Sequence, residues 1–316
     1  MGTGENWKIW RDYPDLLIII NKQENIPHEL RSTNMYQTQK PTPSNTEHCF
    51  FSRNEFSSPE IDQFIDFIIE YVENTKYEGA NGWLRILNCY SWQTTQGLEA
   101  AIQQRIQFHN LVKNAYDTIT CDSQNIQRKV CEQIAAWGNM SIKPCENPEI
   151  IKKSLNYLSG IKYADSIDLD QVFFGQYQYN GKIVSRVSFL SKLYYFYDPE
   201  NWTIFDSRVG FILYQISNSF KDKNPAASSQ IHPQINFPVP ENLQNRSNPE
   251  YNSSNSPQLW NDRFAAIWFI RASFLFKLIA KKLNERNDIG KPSCGIYASG
   301  KWELYHIEMV LFTLGK

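Results

Sequence analysis

From residue 58 onward, apolar residues fall mostly at helical spacing. The clearest stretch opens at Ser58-Pro59 and sets Ile61, Phe64, Ile65, Ile68, Ile69 and Val72 along one face. Serine is a favoured N-cap, and proline at the first helical position loses no hydrogen bond, so this is a helix start. A second helix is predicted from Leu98 to about Ile119, with Leu98, Ala101, Ile102, Arg105, Ile106, His109, Val112, Ala115 and Tyr116 on one side. A third covers Ile126 to Trp137. The fourth opens at Asn147 and Pro148, places Ile150, Ile151, Leu155 and Leu158 on one face and stops at Gly160.

Two more helices are expected in close succession, about Ser185 to Tyr197 and Asp206 to about Phe220. The turn Asp198-Pro199-Glu200-Asn201 and a short apolar, strand-like segment, Trp202 to Phe205, separate them. Residues 221–258 are dense in Pro, Ser, Asn and Gln, which predicts a flexible polar loop. Asn261 or Asp262 then caps a long helix to about Arg286, and Trp302 to Phe312 is an apolar closing segment. Before residue 58 the pattern is irregular, with one apolar run, Leu16 to Ile20, that could form a buried strand. The expected organisation is therefore an irregular segment 1–57, a helical subdomain 58–146, a set of signature helices 147–220, the loop 221–258, and a C-terminal helical part 259–316 packing on the first subdomain. The fold class is mainly α.

Composition adds limits. At 316 residues and 41% hydrophobic content, the chain can bury a core without disulfides or metals. The net charge of -1 supplies no global basic field, so a nucleic-acid site must be a local patch. No two of the six cysteines, Cys49, Cys89, Cys121, Cys131, Cys145 and Cys294, form a CxxC pair, and the histidines do not sit at zinc spacing around them. They read as reduced core thiols. The opening MGTGENWKIWRDYPD lacks the basic and apolar regions of a signal peptide, and the longest apolar stretch, Phe264 to Ala280, contains Arg271 and Lys277. A cytoplasmic chain with no membrane span is expected.

Walker, GxGxxG, GxSxG and HExxH signatures are absent, which lowers nucleotide and serine-type hydrolysis. Asp165, Asp168 and Asp170 lack the glycine and distal glutamate of a calcium loop and read as a polar connection. Neither cofactor nor metal is expected. In the long helix Arg263, Arg271, Lys277, Lys281, Lys282 and Arg286 outnumber Asp262 and Glu285, a stripe that is ordinarily a solvated face and otherwise a phosphate-contacting surface.

The stretch richest in chemistry runs from Ser185 to Val209: a helix, a turn, an apolar segment, then Asp206 opening another helix. It resembles the helix-hairpin-helix (HhH-GPD) DNA glycosylases, whose signature helix is followed by an apolar segment ending in Asp. Thr203-Ile204-Phe205-Asp206-Ser207-Arg208-Val209 occupies that place. The resemblance extends to the helices between Asn147 and Phe220. It implies a helix-hairpin-helix glycosylase-like fold with a DNA-binding cleft, and cleavage of the N-glycosidic bond of a damaged or modified base in double-stranded DNA, in repair or in phage defence. Asp206 would then stabilise the sugar cation, and Lys192 would be the nucleophile of a lyase step. Lys182, Ser185, Arg186, Ser188 and Arg208 would contact DNA. Trp202, Trp92 and Tyr90 would line a base pocket, since such enzymes stack an extruded base on side chains.

Two departures stand beside the resemblance. The family lysine lies about eighteen residues before the aspartate, whereas Lys192 lies fourteen before Asp206, and the region Val184 to Ser188 has no glycine for a phosphate-binding hairpin. The alternatives are a catalytically inactive DNA-binding module of the same fold, and a metal-dependent nuclease or defence effector. The latter draws on Asp15 and the Asn21-Lys22 pair.

Overall fold

The computed structural model describes residues 50–92, 97–118, 122–140, 148–161, 166–179, 182–237, 262–296 and 300–315, all within the unit His48–Lys316. The strand expected at Leu16 to Ile20 lies outside them. The described chain is mainly helical. Strand β1 (Phe50–Ser52) pairs antiparallel with β4 (Ser166–Asp168), and a 3-10 turn, Arg53–Phe56, leads to helix α1 (Pro59–Asn74). The predicted start of α1 holds: Ser58 Oγ accepts from the Ile61 N–H, and the six predicted apolar positions are all buried. A small ribbon, β2 (Lys76–Tyr77) with β3 (Ala80–Asn81), turns into α2 (Trp83–Asn88).

Helices α3 (Leu98–Asp117), α4 (Ser123–Trp137) and α5 (Pro148–Gly160) follow. Helix α4 begins a turn earlier than its pattern indicated, and Ile150, expected on the apolar face of its helix, is exposed. Antiparallel strands β5 (Gln176–Tyr179) and β6 (Lys182–Ser185) precede α6 (Val187–Tyr197). This corrects the expected helix start at Ser185, because Ser185 pairs with Gln176 in the ribbon and the Arg186 N–H donates to the Phe174 carbonyl. In sequence the connection between the paired Tyr179 and Lys182 is Asn180-Gly181, the dipeptide that two-residue hairpins favour. The element entering α6 is thus a strand.

After α7 (Ser207–Lys223) comes α8 (Pro225–Ile235), which overturns the expectation of a flexible loop from residue 221. Proline at the helix start together with Ile231, Ile235 and Phe237, all buried, suffices to hold one more amphipathic helix against α1 and α7. Residues 238–261 lie outside the described set. Helix α9 (Asp262–Glu285) packs on α1, α6 and α10 (Leu304–Leu314). Every residue of α10 from Leu304 to Thr313 is buried, among α2, α7 and α9. A helix buried all round has no polar face, so charges on it require partners from neighbouring helices. On the other side, α3 and α4 pack on each other and on α6.

No described helix is long and apolar enough to cross a membrane. The thiols of Cys89, Cys131 and Cys294 are unbridged.

Candidate active site

Helix α6 is buried almost continuously from Leu190 to Tyr197, and Lys192 is enclosed with it at 3% exposure. Its ammonium finds local acceptors one turn back, donating to the Ser188 carbonyl at 2.7 Å and to Ser188 Oγ at 3.1 Å. Past the turn, Asn201 is held by both carboxylate oxygens of Asp198. Residues Trp202 to Phe205 are then extended and buried without joining a sheet. The Trp202 N–H donates to the Asp198 carbonyl, and side chains hold several of the other backbone groups. The Phe205 N–H donates to Ser191 Oγ, that hydroxyl donates back to the Phe205 carbonyl, and the Thr203 N–H donates to Ser273 Oγ of α9.

This stitching delivers Asp206 to the start of α7. Its Oδ1 accepts from the N–H groups of Arg208 at 3.0 Å and Val209 at 3.2 Å, a helix N-cap. Its Oδ2 lies 4.0 Å from Lys192 Nζ. One carboxylate oxygen is therefore spent on structure and the other faces the amine. Burial lowers the pKa of Lys192, against the opposing pull of Asp206 and then Glu308.

A second pair, which the sequence patterns did not join, adjoins the first. Arg105 of α3 and Glu308 of α10 approach to 2.7 Å, each 1% exposed. The two meet as a buried ion pair. Arg105 Nη2 donates to the Tyr90 hydroxyl at 2.8 Å, and the guanidinium lies over the rings of Tyr195 and Tyr90. Burial raises the Glu308 carboxyl against the pull of Arg105. Burial also disfavours the Arg105 charge, but Glu308 and the two tyrosines more than offset it, and its pKa lies well above the usual value. Burial pushes the Tyr90 hydroxyl up to about 12.

The two pairs share walls. Tyr195, under Arg105, follows Lys192 by three residues on the same face of α6. Phe312, one turn beyond Glu308, packs against the guanidinium of Arg208, two residues past Asp206. Where α10 ends, the backbones touch: a Cβ on Gly315 would stand 2.4 Å from the Arg208 carbonyl oxygen, so only glycine fits.

Other residues singled out in the sequence are distributed as follows. Ser188 holds the Lys192 amine. Arg208 is stacked over Trp92 as well as Phe312, and Trp92 donates from Nε1 to the Trp137 carbonyl. Tyr90 joins through Arg105. Trp202 is a core residue, stacked on Phe269 with ring centroids 5.6 Å apart. Arg186 is the half-buried N-cap of α6, and Lys182 and Ser185 are β6 positions. Asp168 caps the 3-10 turn Leu169–Gln171 by accepting from the Asp170 N–H. Among the described residues no three His, Cys, Asp or Glu side chains converge as a metal site would need.

Among the described cations of the basic stripe on α9, Lys281 is exposed and four others take protein partners. Arg271 is buried between Glu55 and the Pro233 carbonyl, Lys277 bonds Asn201, Lys282 pairs with Asp66 and Arg286 with Asp288.

No protein-family model, no curated protein and no solved structure matches this chain.

Proposed function

We propose that the chain cleaves the N-glycosidic bond of a damaged or modified base in double-stranded DNA and leaves an abasic site. The observation that carries this reading is the 4.0 Å approach of Lys192 Nζ to Asp206 Oδ2, on consecutive helices and out of solvent. Breaking the bond between C1′ and a base leaves positive charge on the deoxyribose, and an anion already oriented stabilises it without reorganising. The N-cap bonds to Oδ1 give Asp206 that orientation. In hydrolysis, water adds to C1′ as the C1′–N bond breaks. The base departs with the bonding pair, and the proton lost by water ends on the base or in solvent. In the lyase variant the neutral Lys192 amine adds in place of water and passes a proton to the departing base. Ring opening then gives a Schiff base. Burial favours the neutral amine that this step needs.

A second reading, a DNA-binding module without catalysis, is favoured by the closure around Lys192, whose amine is already satisfied by Ser188. The nuclease reading draws on Asp15 and Lys22, which lie outside the described residues.

The test incubates wild type and Asp206→Asn in chelator with DNA carrying normal, damaged or phage-modified bases, followed by alkali. Wild type is expected to give alkali-labile sites, and Asp206→Asn, which keeps a capping oxygen, to lose about a hundredfold in rate. Borohydride should trap wild type on DNA and fail with Lys192→Gln. DNA binding without abasic sites on any substrate would support the binding module. Strand breaks that need a divalent metal and no alkali would support the nuclease.

A further inference from the structure

We infer that Arg105 and Glu308 are positioning residues of the Lys192–Asp206 site, a buried pair of opposite charges that sets the charge state of the Lys192 amine. As a statement about catalysis this rests on the glycosylase reading; as a statement about Lys192 it does not.

Stability alone gives little reason to keep such a pair. Two charges taken out of water lose hydration that their attraction only partly returns, and well-packed apolar replacements are often neutral or stabilising. The surroundings are suited to such replacements: Ile102 and Phe108 on α3, and Ile307 and Leu311 on α10, are all buried. The pair is also incompletely satisfied as a structural device. Arg105 Nε is buried without a hydrogen bond, and Glu308 Oε2 meets Arg105 as an ion pair. A group retained against these costs points to a role outside folding.

Its placement supplies that role. Lys192 lies 4.0 Å from Asp206 of α7, and Arg105 of α3, paired with Glu308 of α10, sits over Tyr195 on the next turn of the lysine's own helix, so that the charges of Asp206, Glu308, Arg105 and Arg208 all act on the amine. Gly138, the C-cap of α4, stands against the lysine stem, and Phe269 of α9 packs on Tyr194 of α6. His109 of α3 bonds the Phe196 carbonyl further along α6. Glu308 favours the ammonium and Arg105 disfavours it. The ion pair holds the two at fixed positions, so neither dominates.

The experiment follows Lys192 Nζ through its titration by NMR of ¹⁵N-lysine-labelled protein, assigned by its loss in Lys192→Gln. Glu308→Gln should lower the Lys192 midpoint by about one pH unit and Arg105→Met should raise it by about as much, opposite directions that a purely steric role would not produce. Glu308→Asp and Arg105→Lys, which keep the charges, should leave it near wild type. If the neutralising variants unfold in buffer, trimethylamine N-oxide, which favours the compact state without adding charge, allows the same titration. Shifts in one common direction, or none, would overturn the inference. With DNA, borohydride trapping below the wild-type midpoint should be about tenfold faster in Glu308→Gln and about tenfold slower in Arg105→Met. Opposed NMR shifts with neither alkali-labile sites nor trapping on any DNA would keep the charge role and remove the glycosylase reading. Trapping by wild type whose pH profile ignores both variants would do the reverse.

Discussion

Helix α9 and the junction of α3, α6, α7 and α10 both gather cations, and they manage them in opposite ways. On α9 most cations take a partner of their own: Lys282 with Asp66, Arg286 with Asp288, Lys277 with the amide oxygen of Asn201. Most of these contacts reach solvent and each stands alone. At the junction Arg105, Lys192, Asp206 and Glu308 are withdrawn from water together, and the neighbouring charges act on how readily Lys192, Arg105 and Glu308 ionise. A count of positive charge therefore points to α9, whereas the expense of keeping charge out of water points to the junction. The second criterion is the better guide to where a chain does chemistry.

The comparison breaks most sharply if one member of each region is removed. Glu308→Ala leaves the Arg105 guanidinium buried and uncompensated, and should destabilise the fold by about 3–5 kcal/mol in urea unfolding. An effect below about 1 kcal/mol would mean that water reaches Arg105 freely and that the junction resembles α9 after all.

Acid sharpens the contrast through His306, also on α10. Its Nδ1 accepts from the Glu303 N–H, so Nε2 carries the proton toward the Cys294 carbonyl and the ring is neutral. Burial, with Arg105 adding to it, lowers its pKa to about 4, partly opposed by the Cys294 carbonyl. Because the folded pKa lies below the unfolded value of about 6.5, the unfolded chain takes up the proton first as pH falls. The stability that goes with the neutral ring is complete above about pH 6.5 and is lost toward pH 4, by up to about 1.4 kcal/mol per pH unit. Urea midpoints at pH 7 and pH 5 should differ accordingly in wild type and less in His306→Gln. Equal differences in both would assign the acid sensitivity elsewhere.

The smallest effect belongs to α9. Lys282→Ala removes one side of a pair that is 31% and 52% exposed, and should cost less than about 1 kcal/mol, shrinking further in high salt. A larger, salt-insensitive loss would show that α9 also holds coupled charge.

What could be read beforehand follows the range of the interaction. Helix α1 was legible because its cap and its apolar face lie within sixteen residues, and the Pro148–Gly160 helix for the same local reason. Helix α8 was hidden by composition, since Pro, Ser and Gln masked the few anchors that tertiary packing required. The β5–β6 ribbon is signalled at short range by Asn180-Gly181, whereas the glycosylase resemblance draws the reading only to Val184 to Ser188. The sequence had already singled out Lys192 and Asp206, and the fold brings their side chains together. Arg105 stood among the apolar positions of its helix, and Glu308 in the middle of an apolar segment. Each is a charge where none is expected, but only the folded contact between α3 and α10 shows that they answer each other.

The two-way bond between Ser191 and the Phe205 backbone separates spatial register from chain length. Lys192 and Asp206 are each adjacent to one end of that clasp, so their spacing is fixed from its ends rather than by the count of residues between them. The exposed Glu200 marks where the connecting turn is open to solvent. A chain built this way can lengthen or shorten that turn over evolutionary time while the amine and the carboxylate keep their distance. The clasp, rather than the fourteen-residue separation, then sets the distance between amine and carboxylate.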